Sequence, residues 1–332
     1  MNTAQTFSAF RIHNDARGYR AGIETMGADA LSPGEVLVKV AYSSVNYKDA
    51  LAGTGNGKIL RQFPLNGGID AAGYVAASTD PAFKEGDQVL CTGSGLSETR
   101  DGGFSQFVRL ESKWTIPLPA GLTLRESMAL GTAGFTAALA LFQMVRNGQT
   151  PEMGPIVVTG ATGGVGSIAI DVLTKAGFEA HAITGKVEQF DWLIDLGATQ
   201  CIARTGLHWG QRPLETARWA GAIDNVGGEM LAGLTRVIHP YGNIASCGLA
   251  ASADLATTVM PFIIRGLSVL GVASAGTARS VREEVWERLA GDWKPAHLAK
   301  IATREVSLAD VSTVFDTMLE GRSLGRTVVK TG

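Results

Sequence analysis

The sequence predicts an α/β protein with two parts: a partly open β-barrel and a doubly wound parallel sheet. Three observations lead to this prediction. A strand–turn–helix–strand unit spans residues 156–186, strands and helices alternate after it, and residues 7–115 consist mainly of strand and turn patterns. Strands followed by a long α/β alternation are typical of two differently built domains.

Length, charge and cysteine content limit the classes to which this chain can belong. Its 332 residues are enough for two domains, and 29 basic against 31 acidic residues give a net charge of −2. This balance provides no global field that would point to nucleic acid or an anionic membrane as a partner. Three widely spaced cysteines favour a reducing compartment. No apolar run approaches a membrane span and no signal-peptide pattern opens the chain, which predicts a cytoplasmic protein.

Residues 7–115 are predicted to form the barrel. Strand patterns run from Val36 to Tyr42, from Asp70 to Ala76 and from Gln88 to Cys91, with turn signals before the first and last. This spacing favours a partly open barrel over a second doubly wound sheet.

The unit at residues 156–186 has the features of a dinucleotide-binding site. An apolar run, Ile156 to Val158, enters a glycine-rich turn, and a helical pattern and a second strand, Ala180 to Thr184, follow. Glycines let the backbone approach a pyrophosphate closely, and N–H groups at the helix start face the anion. The residues predicted to contact the phosphates are Thr162, Gly163, Gly164 and Val165.

The end of the second strand indicates which dinucleotide binds. An NAD site usually has an acidic residue there, whereas this strand ends in Thr184, Gly185 and Lys186. Arg204, at the end of the next predicted strand, is expected to converge on the same charge. A hydroxyl, a flexible backbone and two cations favour the 2′-phosphate of NADPH. Two alternatives stay open: Lys186 is an ordinary solvated side chain, or Glu188 supplies the acid of an NAD site.

The alternation predicts a parallel sheet with its ligand at the carboxyl ends of the strands. Asn225, Leu249 and Ser274 follow three of those ends. The elements predicted after residue 123 are helices near 124–130, 137–145, 187–196, 214–219, 230–238, 281–290 and 310–320, and strands near 200–203, 220–224, 243–247, 267–272, 302–306 and 326–330.

Nine sequence stretches occur in a characteristic order along the whole chain. They are SSVNYKDALAGTGNGKI, GIDAAGYV, DGGFSQF, GTAGFTA, VVTGATGGVG, WAGAIDNVGG, ASCGLA, TTVMPFIIRG and GRTVVK. In this order they resemble the medium-chain dehydrogenase/reductase superfamily, and within it the NADPH-dependent acrylyl-CoA reductase branch of the quinone-oxidoreductase-like proteins.

The resemblance implies a GroES-like catalytic domain in residues 1–123, a Rossmann NADP-binding domain in 124–275 and a return to the catalytic domain in 276–332. It also implies a homodimer. The residues that it places around the cofactor, in addition to the phosphate turn, are Tyr47, Thr136, Asn225, Leu249, Ile263 and Ser274.

The chain departs from the zinc-using members of this superfamily. Those members need a cysteine in the segment that contains Asn46 here, and a histidine where this chain has Ile69. An isoleucine side chain cannot bind zinc, so no metal is expected. Without a Lewis acid, alcohol oxidation is disfavoured, whereas hydride delivery to an activated C=C bond or to a quinone stays possible.

Reduction of an α,β-unsaturated thioester needs a hydrogen-bond donor for the enolate and a proton for the α-carbon. Tyr47 is the candidate for the first role, with Asn46 as a second donor; the alternative is a structural tyrosine. Asp49 is expected to order its loop. A CoA ester also needs cations for its phosphates, and Lys58, Arg61 and Arg326 are the candidates, although each is also typical of a solvated surface charge.

Three functions therefore compete at this point. The favoured one is an NADPH-dependent enoyl-thioester reductase that acts on acrylyl-CoA. The second is a quinone reductase, whose flat, apolar substrate needs no cation cluster. The third is an NADPH-binding regulatory or structural protein without turnover.

Overall fold

The computed structural model describes residues 6–332, which form two compact units. The first unit contains residues up to 132 together with 275–287 and 298–332. The second contains residues 133–274 and 288–297. The sequence predicts that all of 276–332 returns to the catalytic domain. In the structure, residues 288–297 belong to the second unit instead.

The first part of the chain is rich in strands. In chain order its elements are β1 (Thr6–Asp15), β2 (Gly18–Gly27), β3 (Val36–Val45), α1 (Tyr47–Thr54), β4 (Leu65–Asn66), β5 (Asp70–Ser78), β6 (Gln88–Thr92), β7 (Phe107–Leu110), β8 (Ile116–Pro117) and α2 (Leu124–Arg146).

The remaining part alternates between strands and helices. Its elements are β9 (Ile156–Thr159), α3 (Gly164–Lys175), β10 (Ala180–Thr184), α4 (Phe190–Asp195), β11 (Ala198–Ala203), β12 (Trp219–Asp224), α5 (Gly228–Val237), β13 (Ile238–Ser246), α6 (Met260–Arg265), β14 (Ser268–Gly271), α7 (Arg279–Ala290), α8 (Leu298–Ile301), β15 (Arg304–Ser307), α9 (Phe315–Leu319) and β16 (Thr327–Lys330).

The first unit is built from two sheets. One has the strand order β15-β16-β3-β5-β6-β8, with β7 also paired to β3, and the other has the order β2-β1-β4. Successive side chains of β3 point to opposite faces: Val36, Val38 and Val40 are buried on one face, and on the other face Leu37 is buried and Lys39 is exposed. The predicted fold class is confirmed for this unit.

The second unit contains a six-stranded sheet of order β11-β10-β9-β12-β13-β14, and every neighbouring pair is parallel. All four residues of β9 are buried, as expected for a strand covered on both faces. The order reverses direction next to β9, which is where ligands bind in doubly wound sheets.

One predicted helix is wrong. Residues 214–218 form no helix, and Trp219 opens β12 instead. The backbone N–H groups of Glu215 and Arg218 donate to the carbonyls of Arg236 and Val237 at the end of α5, so they are not available for helical hydrogen bonds. Other predicted helices differ in type, since residues 187–189 and 308–314 form 3₁₀ turns.

The hairpin β1–β2 and the helix α1 were not predicted from the sequence.

The helix α2 corrects the statement that no apolar run approaches the length of a membrane span. By length and composition this helix could cross a membrane (mean hydropathy 1.6). However, 83% of its apolar window is buried inside the protein, and Gly131 interrupts its helical backbone (φ 53°, ψ −155°). Its apolar composition is therefore explained by its place in the core.

Candidate functional site

The turn between β9 and α3 has the geometry of an anion-binding site. Gly160 is in the left-handed region (φ 59°), and Gly163 is the N-cap of α3. A Cβ atom on Gly166 would lie 2.4 Å from the carbonyl oxygen of Gly160, so only glycine allows the helix to pack this closely on the turn. The first N–H groups of a helix have no partner within the helix, so this end of α3 offers donors and a positive dipole to a phosphate.

All four residues predicted at this turn lie on it. Thr162 and Gly163 precede α3, and Gly164 and Val165 are its first residues. Their contacts with a cofactor stay a prediction.

The end of β10 brings together the residues predicted to bind the 2′-phosphate. The Thr184 hydroxyl accepts a hydrogen bond from Lys186 N (3.1 Å) and lies 3.2 Å from the Thr162 hydroxyl. Arg204 N donates to Thr184 O (2.8 Å). A Cβ atom on Gly185 would lie 3.1 Å from Arg204 Nη2, so the guanidinium packs against the bare backbone of this glycine.

The electrostatics of this corner suit an anion. Burial lowers the pKa of Lys186, and the nearby carboxylate of Glu188 opposes that shift. Glu188 is exposed in the 3₁₀ turn of residues 187–189, one turn beyond the strand end, and not at the tip of β10. The tip itself therefore carries a hydroxyl and cations. These residues fit the 2′-phosphate of NADPH, and the glycine turn fits its pyrophosphate.

Asp224 at the end of β12 is a site residue that the sequence analysis did not identify. Its buried carboxylate accepts hydrogen bonds from the Thr159 hydroxyl (2.7 Å) and from Gly227 N (2.9 Å), and burial raises its pKa. Asn225 donates to Thr159 through its backbone N–H and its side chain. The loop after β12 is thereby fastened to the end of β9. A lone acidic residue closing a buried strand was the available signal.

Asn225 and Leu249 lie close to each other, while their contacts with a cofactor stay a prediction. The backbone N–H of Ala250 donates to Asn225 O, and a Cβ atom on Gly227 would lie 3.3 Å from the Leu249 Cα atom. Leu249 is exposed by 66%, which leaves its side chain available to a ligand.

The other predicted cofactor residues occupy different positions in the second unit. Ile263 is exposed by 72% on α6, Ser274 follows the carboxyl end of β14, and Thr136 is buried within α2. Their roles in cofactor binding stay predictions.

The first unit contains a polar cluster made of the buried residues Ser44, Asn46, Asp49, Asp70 and Arg326 and the half-buried Thr132, which we call the Asp49–Asp70 cluster. Asp70 accepts hydrogen bonds from the Ser44 hydroxyl (2.6 Å), the Asn46 amide (2.8 Å) and the Thr132 hydroxyl (2.5 Å). Gly131 permits this approach, since a Cβ atom there would lie 2.5 Å from both Asp70 Oδ2 and Ser44 Oγ.

Tyr47 is the first residue of α1, and Asn46 is the N-cap of that helix. The Tyr47 side chain is exposed by 48%, whereas Asn46 is buried. The Asn46 amide donates to Asp70 (2.8 Å) and Asp49 (3.2 Å), and its oxygen accepts from Arg326 (3.1 Å). The prediction of Asn46 as a hydrogen-bond donor to substrate is therefore not supported, because its donors are already used inside the protein.

Arg326 also differs from its prediction. Its guanidinium is buried and donates to Ala129 O (3.1 Å), Val45 O (2.9 Å) and Ser44 Oγ (2.7 Å), with Asp70 at 3.8 Å. Burial lowers its pKa. A cation enclosed in this way cannot bind a substrate phosphate, so the assignment of Arg326 to the CoA phosphates is wrong.

Lys58 and Arg61 fit that role better. Both side chains are exposed in the segment between α1 and β4, and neither forms an ion pair within residues 6–332. Their contact with a substrate stays a prediction.

The residues at the expected zinc position do not fit a zinc ion. Ile69 supplies no ligand, and the Asn46 amide is engaged by two carboxylates. In the described part of the chain, no three His, Cys, Asp or Glu side chains are grouped so as to hold a metal ion. We therefore derive no step through a metal.

Family models match two segments of the chain. Residues 32–120 match the alcohol dehydrogenase GroES-like domain, and residues 164–291 match the family described as zinc-binding dehydrogenase. The second match concerns the cofactor-binding unit and does not supply the zinc ligands that positions 46 and 69 lack.

Two curated relatives align over almost the whole chain. YhfP of Bacillus subtilis (strain 168), a quinone oxidoreductase by name, is 44% identical over 98% of this chain and 98% of its own. The acrylyl-CoA reductase AcuI of Ruegeria pomeroyi is 41% identical over 97% of this chain and 98% of its own.

Solved structures of similar proteins also superpose on almost the whole chain. The yhdH oxidoreductase of Salmonella enterica in complex with NADP superposes with a TM-score of 0.94 at 42% identity, and covers 98% of this chain and 100% of that one. YhfP with NAD bound superposes with a TM-score of 0.95 at 43% identity, and covers 99% of this chain and 100% of its own.

Proposed function

The chain belongs to the medium-chain dehydrogenase/reductase superfamily, in its zinc-free quinone-oxidoreductase-like branch, and on that premise we propose that it uses NADPH to reduce the C=C bond of an α,β-unsaturated CoA thioester. Acrylyl-CoA would give propanoyl-CoA.

The observation that carries the NADPH part of the proposal is the tip of β10. Thr184, Gly185 and Lys186 end the strand there, the Arg204 guanidinium packs against Gly185, and the carboxylate of Glu188 lies in the 3₁₀ turn that follows. An ionised phosphate is stabilised by such a set, and the ribose hydroxyls of NAD gain much less from it. The acceptor part rests on the 41% identity with an acrylyl-CoA reductase.

NADPH, when bound, supplies the hydride that the β-carbon of the substrate receives. The chain must then stabilise negative charge on the thioester oxygen and deliver a proton to the α-carbon. We assign the first task to Tyr47, because its phenol is half exposed and is not hydrogen-bonded to any residue in 6–332. The exposed cations Lys58 and Arg61 are the candidates for holding the CoA phosphates.

A second candidate function is quinone reduction, which the 44% identity with YhfP favours. A quinone needs the same reductant but no phosphate-binding cations. The third candidate, NADPH binding without turnover, stays open as well. The homodimer and the cytoplasmic location that the sequence suggested also stay predictions.

A turnover assay separates these functions. Oxidation of NADPH is followed at fixed enzyme concentration with acrylyl-CoA, crotonyl-CoA or a benzoquinone as the acceptor. We expect the highest kcat/KM with acrylyl-CoA, together with stoichiometric propanoyl-CoA. Faster turnover of benzoquinone would favour the second function, and tight NADPH binding without turnover of any acceptor would favour the third.

The role of Tyr47 is tested by Tyr47→Phe. If the phenol stabilises or protonates the enolate, kcat should fall by about 10²-fold or more while the Kd for NADPH changes little. Tyr74→Phe is the matched control, since Tyr74 is similarly exposed (44%) on β5 of the same unit. Unchanged turnover of acrylyl-CoA in Tyr47→Phe would exclude Tyr47 as the hydrogen-bond donor to the thioester oxygen.

A further inference from the structure

The Asp49–Asp70 cluster contains two carboxyl groups and only one guanidinium, all buried. Asp70 is surrounded by donors: two hydroxyls, the Asn46 amide and Thr132 N all point to its oxygens. Such a set of donors stabilises a carboxylate, and the Arg326 guanidinium, 3.8 Å from Asp70, forms its ion pair with this residue. No second cation remains within the cluster for Asp49.

Asp49 joins two elements of the first unit. Its Oδ2 atom accepts hydrogen bonds from Asn46 N (2.8 Å) and the Asn46 side-chain amide (3.2 Å), and its Oδ1 atom accepts from Ile69 N (2.9 Å). Asn46 immediately precedes α1, and Ile69 immediately precedes β5. The carboxylate therefore fixes the first turn of α1, where Tyr47 is located, to the start of β5.

Protonation would change this arrangement. The three groups around Asp49 are all N–H donors, and two of them point to the same oxygen. A proton on Oδ2 would face the two donors at the start of α1, and a proton on Oδ1 would face Ile69 N, so protonation weakens the link between α1 and β5 on one side or the other.

We propose that Asp49 is a positioning residue whose ionised carboxylate holds Tyr47 in its working position, so that turnover needs the loss of the Asp49 proton. The part concerning turnover rests on the function proposed above. The part concerning Tyr47 does not.

The surroundings of Asp49 shift the loss of its proton to a pH near neutral. Burial, and then the charge of Asp70, raise the pKa of Asp49 to about 7. The charged groups that face it are Asp70 and Arg326. Lys48 on the same helix is paired with Glu98 (2.6 Å). On the elements that pack on α1, Tyr19 of β2 donates to Ala52 O, and Asp310 and Asp316 are exposed.

The first test is the pH profile of kcat with NADPH and whichever acceptor is turned over. We expect kcat of the wild type to rise about tenfold between about pH 6 and pH 8, as for the ionisation of one group. Asp49→Asn keeps the shape but presents an amide N–H to the same donors, so its kcat should be low and lack this rise. Asp316→Asn, the same change at an exposed position, should keep the wild-type profile.

A second measurement does not depend on turnover. In protein labelled with ¹³C-tyrosine, the Tyr47 signal is assigned by its loss in Tyr47→Phe and followed through the same pH range. We expect it to shift with a midpoint near pH 7 in the wild type, and at a lower pH in Asp70→Asn, because a neighbouring charge is removed.

The outcomes distinguish the two proposals. A Tyr47 signal that titrates while no acyl-CoA is reduced would contradict the proposed function and leave the positioning role standing. A Tyr47 signal that does not move, or a pH rise of kcat that persists in Asp49→Asn, would overturn the positioning role.

Discussion

The two polar sites of this protein are built in opposite ways. The cofactor site uses one contiguous stretch, residues 156–186, together with Arg204, and it displays backbone donors and cations at the ends of parallel strands. The Asp49–Asp70 cluster takes its residues from β3, α1, β5, α2 and the segment before β16, and all six of its side chains bond to one another or to nearby backbone. The first site is arranged for an external charge. The second satisfies its hydrogen bonds internally, but it holds two carboxyl groups and one guanidinium.

This difference has an energetic consequence. When an exposed binding site loses one side chain, the protein can still fold, because water solvates the groups that remain. When a buried cluster loses one side chain, its former partners become buried charges or donors that neither protein nor water satisfies, and the folded state is destabilised. Substitutions in the cluster should therefore reduce stability, and substitutions in the cofactor site should reduce binding.

Arg326→Met tests this contrast where the largest effect is expected. Removal of the guanidinium leaves Asp70 buried without its cation, so the free energy of unfolding should fall by about 3–5 kcal/mol in urea titrations. Lys330→Met, at an exposed position of β16, is the control and should change it by less than about 0.5 kcal/mol. Equal free energies of unfolding for the two variants would show that the charge of Arg326 does not stabilise the cluster.

The pH dependence of stability tests the uncompensated carboxyl group of the same cluster. The pKa of Asp49 is about 7 in the folded protein and 3.8 for an unperturbed aspartate. A raised pKa gives stability that is complete below the unfolded value and is lost as the pH rises through the folded one. The wild type should therefore lose up to about 4 kcal/mol relative to Asp49→Asn between about pH 4 and pH 8. If the difference in the free energy of unfolding between the two proteins stayed constant over this pH range, the raised pKa of Asp49 would be contradicted.

Lys186→Glu tests the cofactor site, where binding rather than stability should change. Replacement of a cation by an acid removes a charge-assisted hydrogen bond worth about 1.5–3 kcal/mol, so the preference for NADPH over NADH should fall about 10- to 100-fold in kcat/KM. Lys175→Glu, at the exposed end of α3, is the control. An unchanged preference in Lys186→Glu would remove Lys186 from the 2′-phosphate site.

Gly166→Ala is expected to have the smallest of these effects. The new Cβ atom would lie 2.4 Å from Gly160 O and 2.8 Å from Ala161 Cα, so the turn must shift away from the helix. The Kd for NADPH should rise about tenfold, and the Tm of the free protein should fall as well, because the contacting atoms belong to the backbone. Gly22→Ala has open space around its Cβ position and serves as the control. Tight NADPH binding in Gly166→Ala would mean that this close packing is not required.

The sequence by itself determined the parallel-sheet unit and its cofactor turn. Strand β10 begins and ends where the pattern predicts, and Thr184, Lys186 and Arg204 lie together as expected. Such prediction works because hydrophobic periodicity, glycine spacing and the position of a residue at a strand end are local properties of the chain. The order of the motifs also identified the superfamily.

Only the tertiary structure decided the chemistry of the buried cluster. In the sequence, Arg326 is one cation before a closing strand and Asn46 is one amide in a loop. The fold places both of them beside Asp70, although Asn46 is separated by 24 residues from Asp70 and by 280 residues from Arg326 in the chain. Likewise, residues 214–218 have a helical pattern, but their N–H groups bond to the end of α5. Burial and long-range hydrogen bonding set these outcomes, and neither is encoded within a short window of sequence.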